Sequence, residues 1–204
     1  MRIGTKRAFT LAEVMLAIGI IGTIAMMTIP AVSKNYQKHA YVVQAKKNLT
    51  AIESMLTNVQ VDTLGKPFSR TGLSKRNGVN NLGDIRNTIG KYLDMDVSAS
   101  NTTCFAPTYR SVDSSTTFDF ECSDGTVFVL KGGAAYCYIP NENNSATIIV
   151  DTNGNKAPNT GGRDVFTYNI SDDYSITDDG DCTSSSTGQG CLKRLMDNDW
   201  KLDY

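Results

Sequence analysis

The chain has one histidine, one tryptophan and five prolines in 204 residues, and no Cys-x-x-Cys pair. Each scarcity removes a class of function. A serine or cysteine triad would have to recruit His39, far in sequence from every cysteine. Without a Cys-x-x-Cys spacing, zinc-ribbon and thioredoxin-like chemistry are poor readings. No glycine loop precedes a Lys-Ser/Thr pair, and no dinucleotide fingerprint is present. Charge of one sign is also missing, with 20 Lys+Arg against 21 Asp+Glu, which excludes a globally basic nucleic-acid binder. A hydrophobic fraction of 40% excludes a polytopic membrane protein, while 8% aromatics suffice for a folded core.

The near-neutral total conceals an asymmetry. Residues 1–58 hold seven Lys/Arg and two Asp/Glu, or +5, and residues 59–204 hold thirteen and nineteen, or −6. Arg2, Lys6 and Arg7 open the chain, and from Val14 to Val32 nineteen residues carry no charge. About 20 apolar residues is the length a helix needs to cross a bilayer. Basic residues ahead of the run place the N-terminus in the cytoplasm and the acidic body outside the inner membrane. A cleavable signal peptide cut near Ala31-Val32-Ser33, or a plain membrane anchor, satisfies the same composition. Glu13 distinguishes a third reading, because a carboxylate at the edge of hydrocarbon is costly and calls for a partner.

The segment Ala8-Phe9-Thr10-Leu11-Ala12-Glu13-Val14-Met15 resembles the prepilin-peptidase site of type IV pilins and type II secretion pseudopilins. The resemblance is close over about the first 50 residues. It implies a leader of residues 1–8, cleavage between Ala8 and Phe9, and N-methylation of Phe9. It further implies a membrane-spanning and filament-core helix over 9–32, an amphipathic continuation over 33–60, and a globular domain over 61–204. Ala8 stands where the family usually has Gly, and Ala12 where it has a larger aliphatic residue. Pro30 falls where the family carries a helix-distorting proline; lacking a backbone donor, it should kink or loosen the helix. Glu13 would set assembly register by neutralising the Phe9 amine of a neighbouring subunit, since either charge left alone in an apolar core costs several kcal/mol. Ala12, Ala17, Gly19, Gly22 and Ala25 would let helices approach closely.

Beyond Pro30, Val42, Ala45, Leu49, Ile52, Leu56 and Val59 recur in steps of three and four and draw one apolar stripe. Lys38, Lys46, Lys47 and Glu53 fall off it, and His39 reads as a surface residue. Residues 62–101 read as a long connection with one short helix over 82–93. Alternation through Phe118, Phe120 and Cys122, a Ser123-Asp124-Gly125 turn and a strand over 126–130 predict a hairpin. Further strands are expected over 135–139, 146–150 and 164–170. The fold class is α+β, a long N-terminal helix on an antiparallel sheet; the resemblance implies the lollipop shape of a pilin.

Cys104, Cys122, Cys137, Cys182 and Cys191 all lie in the exported part, where disulfides form. The expected bridges are Cys182–Cys191, closing a Ser/Gly-rich loop, and Cys104–Cys122, with Cys137 left buried or unpaired. The segment from Asp151 to Asp164 offers Asp151, Asn153 and Asn155 at alternate positions, the hard oxygen donors calcium prefers. It is not an EF-hand, since Lys156 takes the glycine position. Major pseudopilins carry a late calcium loop, which Asp164 would help to close here; a polar hairpin held by Asx-turns is the alternative. Asp172, Asp173, Asp178, Asp179 and Asp181 read as a solvated loop. Trp200 and Leu202 are expected to dock the C-terminal tail.

The expected function is structural, without catalysis. It is that of a pilus-like filament subunit, with prepilin peptidase and an inner-membrane assembly machine as partners and no nucleic acid. A secretion pseudopilin using calcium, and a secreted or anchored binding protein, are the alternatives.

Overall fold

The computed structural model describes residues 9–75, 82–96 and 104–204, with Ala31 as backbone only. Residues 1–8, and with them the expected leader and Ala8, lie outside the described residues. The chain divides between His39 and Ala40 into two compact units.

In the first unit the helix α1, Leu11–Asp62, begins and runs on through Pro30. Pro30 has no N–H to donate, so Met26 loses one intrahelical partner, a loss the helical backbone on either side spans. Its apolar side chains are bare: Leu16 is 66% and Met27 81% exposed. By length and composition the helix can cross a membrane.

The second unit is α+β. Its sheet is an antiparallel meander in the order β3-β4-β5-β6-β7, built from Thr126–Val129, Ala135–Pro140, Ala146–Asp151, Val165–Ile170 and Ile176–Thr177. Successive side chains of a strand point to opposite faces, so the register aligns Phe128, Tyr136, Val150 and Phe166 in one inward row. Tyr138, Ile148 and Tyr168 form the next. The predicted stripe of α1, from Val42 to Val59, is buried with these rows. Tyrosine tips fasten helix to sheet: the Tyr136 hydroxyl donates to Asn48 Oδ1 at 2.8 Å and the Tyr168 hydroxyl to the Ala45 carbonyl at 3.3 Å. The ring buries apolar area while its hydroxyl keeps a partner.

The expected 118–130 hairpin is corrected. β2, Thr117–Asp119, pairs with β1, Thr108–Arg110, in a separate ribbon, and β3 pairs with β4. Residues 123–125 therefore link two sheets. A Cβ at Gly125 would meet the Tyr138 carbonyl at 2.5 Å and Cys122 Sγ at 2.8 Å, so the chain enters β3 pressed against β4. The ribbon builds a smaller core, Ala106, Tyr109 and Val165 with Phe118, Phe120 and Ile149. α2 is shorter than expected, Leu82–Ile89. The tail forms a third helix, α3, Cys191–Asp197, and Trp200 and Leu202 pack on the main core as expected.

Candidate functional site

At the head of α1, Glu13 is held by its own chain. Its Oε2 accepts from the Thr10 backbone N–H at 2.9 Å and from Thr10 Oγ1 at 2.8 Å, while the Glu13 N–H donates back to Thr10 Oγ1 at 3.3 Å. This is a capping box, Thr at the cap and Glu three residues on, satisfying donors that a helix start leaves open. The Thr-x-x-Glu spacing that signals it stands in the sequence at Thr10 and Glu13. Phe9 precedes it with its ring exposed.

The second candidate lies where β5 ends and β6 begins. Asp151 and Asp164 are both fully buried. Tyr109, carried in by β1, donates its hydroxyl to Asp151 Oδ2 at 2.5 Å, and the Asn153 N–H donates to Oδ1 at 3.1 Å. Asp164 accepts the Asn159 N–H at 2.7 Å and the Thr160 N–H at 2.6 Å. Asn159 takes a positive φ of 52°. Burial, helped by the field of Asp164, pushes the Asp151 carboxyl up to about 7, against the pull of the Tyr109 hydroxyl and the backbone donors. Burial also pushes Asp164 up to about 6, against the pull of its backbone donors.

Two amide oxygens in this loop, Asn153 Oδ1 and Asn159 Oδ1, are buried without a hydrogen-bond partner. The Asn153 amide is oriented by its own donor, since Nδ2 gives a hydrogen bond to the Ala157 carbonyl at 3.3 Å. Buried acceptors normally find a donor, so two orphans beside two destabilised carboxylates fit an oxygen-seeking cation. Asp151, Asp164, Asn153 and Asn159 are the oxygen donors such a cation would use. Asn155, expected as a ligand, has its side chain exposed, whereas the Asn159 Oδ1, which the sequence did not point to, is buried. Among the described residues no three of His, Cys, Asp and Glu converge to hold a metal. A cation here would therefore rest on two carboxylates plus neutral oxygens, a calcium-type set.

The cysteine pairing is half as expected. Cys182–Cys191 forms, sealing the loop onto the start of α3. Cys104–Cys122 does not: Cys122 bonds Cys137 on β4 and ties the outer layer to the sheet, and Cys104 is in neither bridge. Within the acidic run Asp178 is not solvated. It is 5% exposed and accepts from the N–H groups of Gly190 at 2.8 Å, Leu192 at 2.8 Å and Lys193 at 3.4 Å. It caps α3 across a gap of twelve residues and more, which no local pattern signals.

No protein-family model, curated protein or solved structure matches the chain.

Proposed function

We propose that this chain is the structural subunit of a type IV pilus-like filament, cleaved before Phe9 and polymerised through α1. The observation that carries the reading is the bare apolar half of α1, headed by Phe9, Thr10 and Glu13 and followed by an α+β body. Exposed apolar surface on this scale needs lipid or other copies of itself. Lipid covers it before assembly and neighbouring helices cover it afterwards.

Glu13 serves both stages. A carboxylate has about four lone-pair sites, and Thr10 uses one oxygen twice, so the other oxygen remains for a cation. The free amine that cleavage leaves on Phe9 of a neighbour is such a cation. Pairing in a water-poor core ties assembly to one register, because each charge alone is strongly disfavoured there.

The test is the N-terminus of the mature protein from its own cells, read by mass spectrometry. N-methylated Phe9 is expected; a chain beginning at Lys34 would mean an ordinary signal peptide and end the filament reading. Glu13→Ala should be processed yet assemble poorly, and normal filaments from it would remove the register role.

The orphaned oxygens of Asn153 and Asn159 favour a second reading, a pseudopilin of a type II secretion system whose loop binds calcium. Asp151, Asp164, Asn153 and Asn159 would hold the ion, which would supply the positive charge that two buried carboxylates lack. Tyr109 would then connect the loaded loop to the β1–β2 ribbon through Asp151.

A further inference from the structure

Two clefts flank the exposed ridge of α1 in the body, and their chemistry is opposite. One, of about 400 Å³, lies between α1, the turn before β7 and α3, and is lined by Glu53, Asp173, Ile176 and Met196 with no basic residue. Among the described residues the Glu53 carboxylate has no ion-pair partner. Asp173 uses only Oδ1, accepting from the Ser175 N–H and hydroxyl. Met196 is 47% exposed, an apolar wall for an aliphatic stem. Apolar lining from Leu56, Ile176 and Met196 together with the carboxylates of Glu53 and Asp173 suits a lysine, whose stem packs on apolar surface while its charged head seeks an anion.

The other, of about 310 Å³, lies between α1 and the β3–β4 turn and is lined by Gln44, Lys47, Asn48 and the Lys131–Asp94 pair. The acceptor ends of the amides are taken, Gln44 Oε1 by Thr152 Oγ1 at 3.1 Å and Asn48 Oδ1 by Tyr136 at 2.8 Å. Their NH₂ groups remain as donors. Lys131 is bound to Asp94, and among the described residues Lys47 has no ion-pair partner.

Glu53 and Lys47 are six residues apart, about 120° around a helix of 3.6 residues per turn. Between them runs the solvent ridge, with Val43 62% exposed. One molecule thus carries both halves of a complementary pair, on two flanks that cannot meet each other.

We propose that these flanks form a heterologous contact between copies of this chain, the Glu53–Asp173 cleft of one copy receiving Lys47 of the next. Because the two surfaces differ, the contact does not close on a two-fold axis; it repeats in one direction, as a fibre requires. It deepens the filament reading by naming a contact outside the helix core, and rests on that reading for its setting. A single exposed pair contributes little. Reversing one charge places like charges face to face at every repeat, which is far more costly.

The experiment uses the full chain in its own cells as Glu53→Lys, Lys47→Glu and the double reversal. Thermal unfolding of each variant tracks the fold. Each single reversal should cut filament yield about ten-fold or more, and the double should recover most of it. Singles that assemble like the parent, or a double no better than the worse single, overturn the contact. Mass spectrometry of the mature N-terminus on the same samples separates the two failures. Processing at Phe9 with unaffected singles sinks the contact alone. A chain beginning at Lys34 sinks the filament reading, and self-association of the purified variants then decides the contact by the same loss and rescue.

Discussion

Calcium should stabilise the body in a pH-dependent way, and the loop geometry sets the size. The perturbation is addition of calcium to the full chain in detergent at pH 8, against a chelator. Two carboxylates and neutral oxygens suggest affinity like that of extracellular modules, about 10⁻⁴ M. At a hundred-fold excess over that constant, binding contributes about 2.7 kcal/mol. For a chain of this size that raises the Tm by about 5–11 °C. The sign with pH follows from the proton balance. Asp151 and Asp164 are raised to about 7 and about 6. Between about pH 4 and pH 7 the calcium-free native state therefore binds more protons than the unfolded chain, and its stability falls as pH rises. Calcium replaces those protons, so its effect should be large at pH 8 and nearly lost at pH 5. Differential scanning fluorimetry reads both arms. Equal Tm with calcium and chelator at pH 8, or a shift that persists in Asp151→Asn/Asp164→Asn, would refute the reasoning and leave an Asx-turn loop.

Asp178→Ala should destabilise the body by about 1–3 kcal/mol, because three backbone donors lose one buried acceptor; denaturant unfolding measures it, and an unchanged midpoint would show that water substitutes. Peptide mapping without reductant should return Cys122–Cys137 and Cys182–Cys191, with Cys104 alkylated on unfolding. Removing Cys122–Cys137, whose ends are 15 residues apart, should cost about 3 kcal/mol.

Legibility followed the range of the interaction. The α1 stripe was readable because a helix repeats every 3.6 residues and its whole apolar face is written within one segment. The strands at Ala135–Pro140, Ala146–Asp151 and Val165–Ile170 were readable for the same reason. β1 and β7, three and two residues long, carry no period to detect. Cys182–Cys191 closes a short loop and was found, whereas Cys137 is brought to Cys122 only by the turn at Gly125 pressing on β4.

The candidate loop divides in the same manner. Asp151 and Asn153 were nameable from residue chemistry, since hard oxygens at close spacing are a local property, and Asp164 from the family resemblance. The inward Asn159 oxygen, the exposed Asn155, and Tyr109 arriving from a ribbon forty-two residues earlier depend on which groups the packed loop turns inward. Local order thus suffices for the apolar head, the amphipathic helix and the α+β class, because each is encoded by neighbours along the chain. Strand partners, the Cys122 bridge, the cap on α3 and the orphaned oxygens arise only when distant segments are brought together and cut off from water.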